Sequence, residues 1–258
     1  MSVHLLYSAT GFFVGLLVGQ TGMGGGSLVT PILVLAFGVP PAAAVGTDLL
    51  YASITKAVGT VVHGANHTVQ WPIVARLALG SIPGTAFTLL AISYLDLNSR
   101  AATSVITTIL GVMLLITAVA LLFRRQLLEM GASHLGPVSA RQTSILTVVT
   151  GLVLGVLVTI SSVGAGAIGV TVLLLLFPRL PMARIVGSDI AHAVPLTLVA
   201  GLGHWMLGSV NVSMLVSLLI GSIPGIILGS LFAVRVPDAV LRPVLAVTLA
   251  VVGGTLVF

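Results

Sequence analysis

The pentapeptide GSIPG occurs twice in this 258-residue chain, at residues 80–84 and again at residues 221–225. Aligning the two copies extends the match toward the N-terminus, where GLLVGQTGMGGGS (15–27) stands opposite GVLVTISSVGAGA (155–167). The matches keep the same order and a nearly constant spacing, which chance does not produce. The sequence therefore indicates that one unit has been duplicated.

Composition places both copies of the unit in a lipid bilayer. Hydrophobic residues make up 57% of the chain and charged residues 6%, against about 25% charged residues in an ordinary soluble domain. Several apolar stretches exceed the roughly 20 residues that a helix needs to cross the hydrocarbon core. The chain has no Cys, which excludes disulfides and thiolate metal sites. Basic residues are scattered at the ends of the apolar segments and form no long run, so the positive net charge does not indicate nucleic-acid binding.

Each copy divides into five apolar pieces separated by Gly, Pro and polar residues. The pieces cover about 4–21, 26–38, 41–65, 71–95 and 98–124 in the first half, and about 142–160, 166–177, 182–207, 212–235 and 238–257 in the second. The second piece of each half is too short to cross a bilayer comfortably. We therefore predict an all-α polytopic membrane protein in which each repeat has a Gly-broken helical hairpin, either re-entrant or spanning, followed by three transmembrane helices.

The number of crossings predicts how the two repeats are related. Three or five crossings per repeat are both odd, so duplication yields two repeats of inverted topology. We assign residues 1–125 to the first repeat, 126–141 to a cytoplasmic connecting loop and 142–258 to the second repeat.

The distribution of positive charge predicts the orientation in the membrane. The connecting loop is basic and is expected in the cytoplasm by the positive-inside rule. This orientation places eight of the ten basic residues on the cytoplasmic side: Arg76, Arg124, Arg125, Arg141, Arg179, Arg184, Arg235 and Arg242. Arg100 then lies outside and Lys56 within a span. We expect a multi-pass protein of the plasma (inner) membrane with both termini on the periplasmic or extracellular side.

Two explanations fit the GSIPG repeat itself. Pro83 and Pro224 each remove a helix hydrogen bond and favour a kink in the fourth piece of their repeat. Alternatively, the flanking glycines allow two helices to approach closely. The sequence leaves both explanations open.

The two Gly-rich breaks predict the substrate site. Paired, Gly-interrupted short segments in two inverted repeats indicate a transport site near the middle of the membrane. Free backbone N–H groups and helix N-termini there favour an anion. The predicted substrate-binding residues are Gly24, Gly25, Gly26, Ser27, Lys56, Ser161, Ser162, Gly164, Ala165 and Gly166.

Ionisable residues inside the predicted spans are candidates for coupling transport to an ion gradient. GTDLLYA (46–52) stands opposite GSDIAHA (187–193), so Asp48 and Asp189 occupy equivalent positions. His63 aligns with His204, while His192 follows Asp189 by three residues. We predict that these five residues take part in coupling, with the proton carried by a carboxylate or a histidine. Sodium coupling stays open, as does the simpler explanation that the carboxylates stabilise helix N-termini.

Taken together, the first break followed by SLVTPIL, the AVGTDLL segment, the GSIPG repeat and the basic central loop resemble the TauE/SafE family of membrane proteins, also called the sulfite exporter family. The second half departs from the family pattern, because TISSVGAGA lacks two glycines of GMGGG and has no proline at the position that corresponds to Pro31 in the first half. The resemblance implies secondary transport of sulfite, thiosulfate or an organosulfonate such as sulfoacetate. It implies no cofactor, and nothing in the sequence locates an interface for a homodimer.

Two other functions remain as alternatives. A passive anion channel would share the broken helices. An intramembrane metalloenzyme is suggested by HGANH (63–67), in which His63 and His67 have the i, i+4 spacing of paired zinc ligands on a helix. The HGANH motif has no Glu between its histidines, which argues against the enzyme.

Overall fold

A computed structural model describes residues 2–21, 26–65, 67–94, 100–134, 139–232 and 238–257. Within these residues the chain forms eleven α-helices and no strand. They are α1 (Ser2–Thr21), α2 (Gly26–Leu35), α3 (Pro41–Ala65), α4 (Trp71–Ser93), α5 (Arg100–Leu122), α6 (Arg124–His134), α7 (Ala140–Ser161), α8 (Ala167–Leu176), α9 (Met182–Met206), α10 (Val212–Phe232) and α11 (Asp238–Val257).

Ten of these helices correspond to the ten predicted apolar pieces, and α6 is the exception. Most of α6 lies in the segment predicted as a connecting loop. It is stabilised by an i, i+4 ion pair in which Arg125 Nε lies 2.8 Å from Glu129 Oε1. A search for long apolar runs misses such a helix because α6 is short and polar.

Five helices of the described part of the chain are long and apolar enough to cross a membrane. They contain the segments Trp71–Ser93, Thr103–Leu122, Ala140–Ser161, Met182–Met206 and Val212–Gly229. At 10 residues each, α2 and α8 rise about 15 Å. Neither can cross the hydrocarbon core alone, as predicted for the second piece of each repeat. The chain is therefore an all-helical, multi-pass membrane protein.

The main helix contacts join one half of the chain to the other. α1 packs along α10, α4 along α7, α3 along α9 and α5 along α11. The α1–α10 pair and the α7–α4 pair are equivalent, since α1 of the first half corresponds to α7 of the second and α4 of the first half corresponds to α10 of the second. The two halves are therefore interleaved rather than stacked as separate bodies.

The glycines of GSIPG lie in two of these contacts. A Cβ at Gly221 would overlap the carbonyl of Ser8 in α1, and a Cβ at Gly80 would overlap that of Val148 in α7. Both α4 and α10 continue through their prolines, Pro83 and Pro224. The close-packing explanation of the repeated motif is confirmed, and a kink at the prolines stays a prediction.

The central pair, α3 and α9, runs antiparallel. Gly46 near the start of α3 lies against His204 near the end of α9, whereas Gly187 near the start of α9 lies against His63 near the end of α3. Two equivalent helices that run in opposite directions are consistent with inverted repeats. Their inversion across the membrane itself stays a prediction.

Candidate functional site

The second Gly-rich break separates α7 from α8 and has the backbone of a tight reversal. Ser162 caps α7 in the left-handed conformation, with φ 57° and ψ 5°. Gly164 and Gly166 have φ of 110° and 136°, values that L side chains rarely adopt. The break predicted at TISSVGAGA is therefore present, and its two glycines are required by their backbone conformation.

Lys56 of α3 reaches this break from the other half of the chain. Its ammonium Nζ donates to the carbonyl oxygen of Ala165 at 3.3 Å, and the residue is only 6% exposed. Among the described residues no carboxylate oxygen lies within 4.0 Å of Nζ. Lys56 is thus a buried cation that has N–H groups left for a further acceptor.

Asp48 lies two turns before Lys56 on the same helix and is fully buried. The hydroxyl of Thr30 in α2 donates to its Oδ2 at 2.5 Å. The Ser162 hydroxyl of the break lies close to the same carboxyl group, without the geometry of a hydrogen bond. Within the described part of the chain, Asp48 Oδ1 and Ser162 Oγ have no hydrogen-bond partner.

Asp189 of α9 is the second buried carboxyl group near Lys56. It is 2% exposed, and its Oδ1 has no hydrogen-bond partner among the described residues. This oxygen lies against Gly169 of α8, where a Cβ would overlap it. Lys56 lies within electrostatic range of both Asp48 and Asp189. Two buried carboxyl groups from equivalent positions therefore lie near one amino group without forming a close ion pair with it.

The three predicted histidines do not meet at one point. His192 Nε2 lies 2.9 Å from the Ser81 hydroxyl of GSIPG. At the equivalent place in the other half, the Tyr51 hydroxyl donates to Ser222 Oγ at 2.7 Å. His192 also lies within electrostatic range of Lys56, so it borders the cluster of Asp48, Lys56 and Asp189.

His63 and His204 lie at opposite ends of the α3–α9 pair. His63 Nδ1 lies 2.9 Å from the Thr68 hydroxyl, and His204 Nε2 lies 2.9 Å from the Thr159 carbonyl oxygen. Neither ring belongs to the cluster of Asp48, Lys56 and Asp189. The predicted coupling role of these two histidines therefore does not involve direct contact with the two carboxyl groups.

The first Gly-rich break is described in part. Gly24 and Gly25 lie outside the described residues, while Gly26 and Ser27 form the start of α2. In the second break, the Ser161 hydroxyl donates to Leu157 O at 2.7 Å and accepts from Val163 N at 3.2 Å. Ser161 is thus engaged within its own loop, unlike Ser162.

Two residues beside the carboxyl groups were missed by sequence reasoning. Thr30 bonds to Asp48, and Gly169 makes room for Asp189. A signal for each exists in the sequence, because both lie in the short helix that follows a Gly-rich break. Residue type alone does not show that these helices pack against the carboxyl groups.

The HGANH segment does not present two histidines on one helix face. α3 ends at Ala65, and His67 follows in a turn with φ 53°. The structure therefore removes the helical spacing on which the zinc-site alternative depended.

The second Gly-rich break, between α7 and α8, combines two electrostatic environments. The carbonyl end of α7 lies beside Asp48 and Ser162, and helix C-termini favour cations. The N-terminal end of α8, beginning at Ala167, lies beside Lys56 and favours anions. Such a paired arrangement suits the binding of a small anion together with a cation or a proton.

Comparison with known proteins agrees with this architecture. The family model described as "Sulfite exporter TauE/SafE" matches residues 7–256. A "Probable membrane transporter protein YjnA" of Bacillus subtilis (strain 168) is 35% identical over 260 residues, covering 100% of both chains. A "Probable membrane transporter protein YdhB" of the same organism is 26% identical, covering 96% of this chain and 97% of that protein. No solved structure matches. Because the family model spans nearly the whole chain, this protein belongs to the sulfite exporter TauE/SafE family and is a multi-pass membrane transporter of that type.

Proposed function

We propose that this protein is a secondary transporter that moves a small sulfur-containing anion across the cell membrane by alternating access, with the proton as coupling ion. Sulfite, thiosulfate and organosulfonates such as sulfoacetate are the candidate substrates, in keeping with the family's description. The observation that carries the proposal is the buried Lys56 ammonium, which faces a broken helix and has no ion pair among the described residues.

A buried ammonium without a close counter-ion favours an anionic ligand. Removing a charge from water costs several kcal/mol unless a partner compensates it. Lys56 makes one 3.3 Å hydrogen bond to a neutral carbonyl, which compensates little of that cost. A sulfur oxyanion supplies negative charge and several acceptor oxygens, and backbone N–H groups at Gly166 and Ala167 add donors at the start of α8.

The two carboxyl groups explain why anion binding would be linked to a proton. With Asp48 and Asp189 both ionised, the cluster with Lys56 carries a net negative charge that repels an anion. Addition of a proton to one carboxyl group makes the cluster neutral and the bound anion more stable. Anion and proton then bind cooperatively, which is the thermodynamic basis of coupling.

The interleaved packing supports alternating access around this cluster. α3 and α9 bring Asp48, Lys56 and Asp189 together, while α4, α7, α1 and α10 surround them in pairs. Rocking of one set of pairs against the other would expose the cluster first to one side of the membrane and then to the other.

The experiment is transport of a panel of sulfur anions by purified protein in proteoliposomes. Sulfite, thiosulfate, sulfate, sulfoacetate and taurine are tested with and without an imposed proton gradient. Uptake above that of protein-free liposomes, accelerated by the gradient and abolished in Lys56→Met, supports the proposal. Downhill flux whose rate is the same with and without the proton gradient indicates the channel alternative. The absence of flux for every sulfur anion tested would contradict the proposed substrate class.

A further inference from the structure

Two buried oxygen atoms near the end of α7, Asp48 Oδ1 and Ser162 Oγ, have no hydrogen-bond partner in the described part of the chain. The Ser162 hydroxyl lies close to the Asp48 carboxyl group. Asp48 is 0% exposed and Ser162 is 6% exposed. Buried polar atoms are nearly always hydrogen-bonded or bound to an ion or water. The two atoms therefore have hydrogen-bonding capacity left for water or an ion.

The surroundings of this position favour a small monovalent cation. Thr30 Oγ1 contacts the same carboxyl group and adds a third oxygen. Hard cations such as sodium prefer carboxylate, hydroxyl and carbonyl oxygens, and the carbonyl end of α7 contributes negative potential. The nearby Lys56 ammonium disfavours a divalent ion, because it would repel two charges rather than one.

The equivalent position in the other half lacks these oxygens. Gly22 aligns with Ser162 and has no hydroxyl. Thr171, the fifth residue of α8 as Thr30 is the fifth of α2, donates to Ala167 O in its own helix at 2.7 Å. Among the described residues, no hydroxyl group donates to Asp189 Oδ1, whereas Thr30 and Ser162 lie beside Asp48.

We propose that Asp48, Ser162 and Thr30 form a sodium-binding site at the carbonyl end of α7. The site goes beyond the proposed proton-coupled transport of an anion and does not depend on the substrate. It gives the two equivalent carboxyl groups different roles, because Asp48 binds sodium while Asp189 remains the carboxyl group that exchanges a proton beside Lys56.

The test is thermal unfolding of purified protein in NaCl, KCl or choline chloride at equal ionic strength, with no sulfur anion present. We expect sodium to raise the midpoint by about 5 to 10 °C when its concentration is about 100 times the Kd. Potassium and choline should leave the midpoint unchanged within error. Equal midpoints in all three salts would overturn the site and indicate that water occupies it.

Single substitutions test whether the sodium-dependent shift of the unfolding midpoint arises at this site. Ser162→Gly removes the hydroxyl and keeps a residue suited to the left-handed backbone, and Thr30→Val removes the third oxygen. Each should abolish most of the sodium shift, as should Asp48→Asn if it folds. Thr171→Val is the matched control, because its hydroxyl bonds within α8, and it should keep the full shift.

The outcomes separate this site from the proposed function. A sodium shift that survives in both Ser162→Gly and Thr30→Val would overturn the assignment even if sulfur anions are transported. Conversely, a shift that these variants abolish would support the site even if the proteoliposome panel shows no transport of sulfur anions.

Discussion

Replacing Lys56 tests whether the buried ammonium holds the substrate. Lys56→Met keeps much of the side-chain volume and removes the charge, and Lys56→Ala removes both. Nζ has one 3.3 Å hydrogen bond in the protein and no carboxylate within 4.0 Å in the described residues, so its remaining N–H groups are available to an anion. A hydrogen bond to a charged group contributes about 1.5 to 3 kcal/mol, which corresponds to about a 10- to 150-fold rise in Kd.

The assay is equilibrium binding of the transported anion to purified variants, with circular dichroism and size exclusion as checks of folding. Thr197→Val is the matched control, since Thr197 aligns with Lys56 in the second half and its hydroxyl donates to Ala193 O in its own helix. We expect the control to bind normally. Wild-type affinity in a folded Lys56→Met protein would refute the reasoning and leave the ammonium with a structural role.

Three further outcomes are expected. Gly221→Val should lower the free energy of unfolding by about 1 to 3 kcal/mol or more, because a Cβ there would overlap the Ser8 carbonyl. Gly254→Val is the control, since a Cβ at Gly254 has no atom within 4 Å. Thermal unfolding of the two variants is compared. Asp189→Asn and Asp48→Asn should each reduce gradient-driven uptake by about 5- to 150-fold with insertion unchanged, and normal uptake by both would exclude carboxyl coupling. Gly25→Val, in the first break, should abolish anion binding measured on folded protein.

The sequence by itself determined the helices and the duplication. Apolar runs bounded by Gly, Pro and polar residues predict helix ends well, because a bilayer requires long uninterrupted runs of apolar residues. The predicted piece at 41–65 matches α3 (Pro41–Ala65), and the short pieces match α2 and α8. α6 was missed because a short polar helix is not subject to that requirement.

For the site, the sequence identified residues but not most of their neighbours. Asp48, Lys56 and Asp189 were predicted because ionisable residues are costly inside a membrane. That Lys56 would reach Ala165 in the other half, and that Gly169 would make room for Asp189, followed only from the structure.

The tertiary structure decided which helices pack together and therefore what the small residues contact. GSIPG indicated that something approaches α4 and α10 closely, yet α7 and α1 could not be named from the motif. The reason is that lipid and the protein interior are similarly apolar, so hydrophobic patterning does not distinguish the face of a membrane helix that contacts protein from the face that contacts lipid. Shape complementarity between helices distant in sequence makes that choice, and it brings Asp48, Lys56, Asp189 and the break at Ser162 to one place.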